Sequence, residues 1–204
     1  MSGKESYHHG DLKNALVAAG VEILAGEGLN AISLRNVAKK AGVSHSAPYA
    51  HFKDKQALIA AISTEGFKKL LTQLESVVSQ YKEQPERLLP EACWVYYQFA
   101  LQETNIFKVM FSGVLEKEKD YSDFVEVVQK TFQVVVEVVT ICQAAGILQA
   151  GESQLTAMTL WAQIHGMISL YLEGQISHTI LDQHDLREIL LYSLNQIKIG
   201  RAHV

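Results

Sequence analysis

Leu12, Leu16, Ala19 and Ile23 recur at three- and four-residue spacing, the mark of a helix with one buried face. Asp11 stands where it can cap that helix, and Gly26 and Gly28 stop it. A short helix follows from Leu34, introduced by Ser33, whose hydroxyl can accept an orphan backbone N–H. Gly42 ends it, and Ser44 starts a third helix after a tight turn. Asp54 caps a long helix with the apolar stripe Leu58, Ile62, Leu70, Leu74, Val78 and Tyr81. Gln84-Pro85 is the clearest joint in the chain. Residues 86–104 and about 105–112 read as helices, and Ser112-Gly113 opens a loop. Residues 121–145 pull two ways. The β-branched run from Val134 to Ile141 favours a strand by local propensity. Yet Phe124, Val128, Thr131, Val135, Val138 and Cys142 share one helical face, and the stretch exceeds a usual strand. It reads as a central buried helix that ends at Gly146. Helices over about 152–176 and 183–199 follow, divided by a polar link around His178 to His184. The pattern predicts an all-α fold of about nine helices: a three-helix head over residues 1–53 and a helical-bundle body over 54–204.

Hydrophobic residues make up 48% of the chain and charged residues 20%, enough apolar surface to bury a core and no sign of disorder. The formal net charge of -4 argues against nucleic-acid binding only until its placement is considered. Residues 1–55 hold seven Lys/Arg and five Asp/Glu, whereas the remainder holds eleven and seventeen. A mildly basic head on an acidic body suits a DNA reader carried by a body that does not touch DNA. Cys93 and Cys142 both lie in apolar sequence and are too far apart for a metal knuckle or a redox pair. No uncharged apolar stretch is long enough to span a bilayer, and the first ten residues lack a signal peptide's apolar run. The expectation is a cytoplasmic protein without metal or cofactor.

The informative segment runs from Ile32 to Leu58. Two short helices meet at Ala41-Gly42-Val43-Ser44, where Ala38 allows a close crossing and Gly42 supplies positive φ for the turn. Val43 is expected to point into the core of the head. These are the needs of any helix-turn-helix.

The whole segment closely resembles the signature of the tetracycline-repressor (TetR) family. Ser33-Leu34-Arg35 and Val37-Ala38 match its first helix of the motif, and Ala41-Gly42-Val43-Ser44 match the turn. Tyr49, His51-Phe52-Lys53, Asp54-Lys55 and Leu58 match its Tyr-x-His-Phe run and the capped helix that follows. Trp161, His165 and Gly166 are similar to the Trp-His-Gly residues of one subgroup. The resemblance implies a recognition helix over residues 44–51 in the major groove. It implies base contacts from His45 and Ser46, phosphate contacts from Ser33, Tyr49, His51 and Lys55, a base or phosphate contact from Arg35, and Ser44 as a further DNA-binding residue. Lys4, His8 and His9 on the arm would reach an adjacent groove. Two departures stand out: Pro48 lies inside the recognition helix, and Ala50 replaces a commonly basic residue.

In the body, Trp94, Tyr97, Phe107, Met110, Phe111, Trp161, His165 and Tyr171 are candidates for a pocket holding a small, largely apolar effector. Each taken singly is as well explained by core packing. A neutral His165 on an apolar face wants a partner, either a neighbouring side chain or a ligand. By resemblance the last two helices form the dimer interface, with Leu155, Met158, Ala162, Leu186, Ile189, Leu190, Ser193 and Ile197 as its candidates. The resulting expectation is a homodimeric repressor on a palindromic operator, released by effector. Its rivals are a DNA-binding dimer with no effector, an activator, and a small helical enzyme. The enzyme reading finds no phosphate-binding loop, nucleophile elbow, zinc-protease motif or dinucleotide fingerprint to support it.

Overall fold

The computed structural model describes residues 9–115 and 118–197, and among them every regular element is helical. The order is α1 (His9–Glu27), α2 (Leu34–Lys40), α3 (Lys55–Tyr81), α4 (Pro85–Gln102), α5 (Thr104–Met110), α6 (Ser122–Ala144), α7 (Ser153–Leu172), α8 (His178–Leu181) and α9 (Leu186–Ile197). The arm with Lys4 and His8 lies outside the described residues.

The chain divides into two compact units, one of residues 1–68 with 103–128, the other of 69–102 with 129–204. Helix α5 and the start of α6 fall in the first unit with α1, α2 and the start of α3. Helices α3 and α6 supply residues to both units.

In the first unit, α1, α2 and the start of α3 enclose Leu16, Leu24, Ile32, Val37, Phe52, Leu58 and Ile62. Ser33 caps α2 through its hydroxyl, which accepts from the Asn36 N–H at 3.1 Å. Asp54 caps α3 in the same way, accepting from the Ala57 N–H at 2.8 Å. Helix α5 docks through Asn105, whose side-chain amide donates to the Ala25 carbonyl at 3.0 Å, near the end of α1. Phe67 sits edge-on to Phe111 and Phe124, with ring centroids 5.4 and 5.7 Å away.

The second unit packs Leu88, Leu89, Phe99, Val138, Val139, Ile164, Ile168 and Leu194 into its core. The β-branched run of α6 is helical because Val134, Val136, Val138 and Val139 are all buried. Packing on several sides outweighs a propensity difference worth a few tenths of a kcal/mol per residue, roughly. Pro85 opens α4 at its first residue, so the joint at Gln84-Pro85 is also a helix start. The link around residues 178–184 contains the one-turn helix α8, too short for its periodicity to show.

Candidate functional site

The turn after α2 has the geometry its sequence demands. Gly42 has φ 69°, and the Val43 N–H bonds back to the Ala38 carbonyl at 3.0 Å. Val43 itself is only half-buried. The element beyond the turn is not the expected helix over residues 44–51. It is a turn at residues 45–46 followed by a 3₁₀ turn over Ala47–Ala50. Pro48 is the reason. It has no N–H to return to the Ser44 carbonyl, so the ladder runs in three-residue steps, Ala47 N–H to Ser44 O at 3.0 Å and Tyr49 N–H to Ser46 O at 3.2 Å.

This tight turn is anchored from below and open above. Pro48 and Phe52 are buried. Ser44, His45, Ser46 and Ala50 are exposed, and Tyr49 is 63% exposed. The Ser44 and Ser46 hydroxyls share a hydrogen bond of 3.1 Å. His51 is half-buried at the C-terminal end of the 3₁₀ turn. Arg35 is exposed on α2, and the half-buried Ser33 accepts its cap bond on the hydroxyl oxygen, which leaves the O–H as a donor. Lys55 opens α3, its ammonium 3.5 Å from the Leu29 carbonyl. The turn therefore carries exposed polar side chains and an exposed aromatic ring, and exposed basic residues stand on α2 and at the start of α3.

The eight candidate pocket residues fall in two places. Phe107 and Met110 are buried side chains of α5 in the first unit, where Phe111 stacks obliquely on Phe107 at 4.9 Å. In the second unit Trp94 stacks on Tyr97 at 5.1 Å, and Tyr171 lies 6.5 Å from Tyr97. Trp161 and His165 meet there at a residue not singled out from sequence, Tyr96. The Trp161 indole N–H donates to the Tyr96 oxygen at 3.1 Å, and the Tyr96 hydroxyl lies 2.7 Å from His165 Nδ1. An indole can only donate, so the phenol oxygen accepts from Trp161, and the same oxygen is shared with the imidazole of His165. Burial holds His165 below the usual histidine range and pushes the Tyr96 phenol well above its own, so both stay neutral. No local signal could reveal Tyr96, because its partners lie on another helix far along the chain.

A depressed histidine makes the fold acid-sensitive in a defined sense. Below about pH 6.5 the unfolded chain takes up a proton that folded His165 resists, so stability drops toward acid. The melting midpoint of the wild type should fall more than that of His165→Gln between about pH 7.5 and about pH 5. Parallel curves would remove His165 as the cause. Tyr96→Phe should cost about 1–3 kcal/mol at neutral pH, by removing the oxygen to which Trp161 donates and which His165 shares.

Other expected residues are exposed on their own helices. On α7 Leu155, Met158 and Ala162 are exposed, Leu155 by 68%. On α9 Leu186, Ile189 and Ile197 are half-exposed. Leu190 (2% exposed) and Ser193 turn inward instead, Ser193 accepting from the Gln163 amide, and they leave the candidate interface. Tyr192, 69% exposed, and Leu191 and Leu170 are exposed apolar side chains that are not among the expected residues. Helical spacing alone places Leu190 and Tyr192 too loosely to choose between two faces of α9. Among the described residues no cluster of His, Cys, Asp and Glu could hold a metal, and no helix is long and apolar enough to cross a membrane.

The fold and the displayed turn define a helix-turn-helix DNA-binding protein with a helical body. Residues 16–62 match the family described as bacterial regulatory proteins, tetR family, and residues 89–194 match the tetracyclin repressor-like C-terminal domain. The chain belongs to the TetR family of transcriptional regulators. The second match spans Trp161, His165 and Gly166. Among solved structures, a protein with unknown function from Rhodococcus sp. RHA1 is 30% identical over 95% of this chain and 97% of its own, with TM-score 0.80. The TetR family transcriptional regulator PfmR from Thermus thermophilus is 15% identical over 89% and 96%, with TM-score 0.66. The fatty acid degradation regulator FadR from Bacillus halodurans is 14% identical over 100% of both chains, with TM-score 0.69. No curated protein matches.

Proposed function

We propose that this protein is a cytoplasmic, homodimeric repressor that binds a palindromic operator through the turn at residues 44–51 and is released by a small, largely apolar effector. The exposure of Tyr49 carries the DNA-reading part. A ring 63% exposed on an otherwise well-packed unit, on the same turn as the exposed Ser44, His45 and Ser46, offers a flat face and a hydroxyl to a phosphate and base surface. His45 and Ser46 are the base readers; Ser33, Tyr49, His51 and Lys55 hold phosphates, and Arg35 reaches either.

The apolar residues exposed on α7 and α9 support a two-fold dimer, since a second copy presents the same stripe. The Trp161–Tyr96–His165 chain with the Trp94, Tyr97 and Tyr171 rings supports an effector site in the second unit, the polar handle in an aromatic lining. Phe107 and Met110, as core side chains, add nothing to it. Effector binding would then shift the spacing of the two heads.

The test is a salt titration on an operator selected from random-sequence DNA by the wild type. Lys55→Ala should weaken binding and make the salt slope shallower by about one, as one phosphate contact fewer releases fewer counterions. Tyr49→Phe should weaken binding with the fold intact. A wild type that enriches no sequence above random DNA would overturn the reading.

A further inference from the structure

Lys53 follows the reading turn, and its ammonium lies 5.5 Å above the ring centroid of Tyr121. That distance is within reach of a cation–π attraction. Tyr121 is remote in sequence but belongs to the same compact unit. Its place is fixed twice. Its carbonyl accepts the first hydrogen bond of α6, from the Val125 N–H at 3.0 Å. Three residues on, Phe124 is locked edge-on against Phe67 at 5.7 Å. The ring therefore stands on a rigid support and the lysine does not: Lys53 is exposed, in the bend between the 3₁₀ turn and α3.

The nearby charges are arranged to leave the lysine in place. Asp54 is occupied in capping α3. Burial first, then the Asp54 and Asp120 carboxylates, raise the Tyr121 phenol against the pull of Lys53, so the ring stays neutral. Tyr121 also lines an open cleft of ≈ 270 Å³ with Lys13, His51, Phe52 and Phe124, which brings the start of α6 to the flank of the reading turn.

We propose that Tyr121 is a positioning residue for DNA binding: its ring holds the Lys53 ammonium beside the reading turn, ready for a phosphate. An ammonium over a ring keeps N–H groups for an oxygen, and a tethered lysine loses less rotamer freedom on meeting the backbone. The contact makes the start of α6 part of the DNA-binding apparatus. The inference rests on the operator-binding reading above.

The experiment uses the full chain and the operator selected by the wild type, titrated with KCl. Tyr121→Ala should weaken binding about two- to five-fold. It should also flatten the salt slope by up to about one, as Lys53→Ala does. Tyr121→Phe keeps the ring and should keep the wild-type slope. Tyr121→Leu keeps the bulk without the ring face and should behave as Tyr121→Ala, which covers the case that alanine unfolds the unit. The double variant with Lys53→Ala should bind no more weakly than Lys53→Ala alone. Two results would overturn the proposal while leaving operator binding intact: Lys53→Ala with the wild-type slope, or Phe and Leu variants that behave alike. A merely structural Tyr121 gives the second result. If the wild type selects no operator, the operator-binding reading fails and this proposal falls with it.

Discussion

On the proposed dimer, glutamate at both Leu155 and Tyr192 should give a folded monomer that binds its operator on the order of 100-fold more weakly, or worse. The expectation follows from geometry and linkage. Both side chains are more than two-thirds exposed, so the substitutions remove little from the protomer's own core. At a two-fold interface each residue meets its own surroundings from the other copy, so each glutamate is introduced twice into an apolar patch. A monomer reads half an operator, and the second half-site no longer benefits from the effective concentration that linkage provides. Sedimentation velocity with thermal melting reads the first part, and fluorescence anisotropy on the selected operator reads the second. A dimer that persists with both glutamates in place would move the interface elsewhere.

The same substitution at two glycines should have opposite signs. Gly66 is buried on α3, and a Cβ there would sit 2.6 Å from Ile106 Cγ2 and 2.6 Å from Met110 Sδ on α5. Neither atom can stay, and Ile106 is buried and stiff at χ1. Gly66→Ala should cost about 1–3 kcal/mol. That is roughly 2–4 °C in melting midpoint for each kcal/mol. Gly26 lies inside α1 with nothing within 4 Å of the added methyl. Gly26→Ala should raise stability by up to about 1 kcal/mol, from helix propensity alone. If calorimetry shows both midpoints moving the same way, the close α3–α5 approach is not what sets the Gly66 cost.

What the sequence made legible follows from how local each cause is. Caps at Ser33 and Asp54 and the positive φ at Gly42 act within a few residues, so they can be read directly. Helix α6 was legible against its own propensities because its apolar face extends too far for a strand. The recognition element was misjudged because periodicity and family pattern both suggest a helix, whereas the missing Pro48 N–H shortens the ladder to a 3₁₀ turn. Leu190 and Tyr192 are two residues apart on α9, and which of them turns inward depends on what the neighbouring helices fill. Tyr96 and Tyr121 could not be read at all. Each gains its role from a partner brought in by tertiary packing, His165 and Trp161 in one case and Lys53 in the other.

The reading turn separates two duties that a longer helix would mix. Pro48 and Phe52 hold it to the core, while His45, Ser46, Tyr49 and Ala50 are exposed above. Exchanging an exposed residue there alters what is displayed without opening a cavity, and surface changes of this kind usually fall within about 0.5 kcal/mol of neutral. On the proposed function, operator preference would be reprogrammed by saturating His45 and Ser46 at almost no cost to folding.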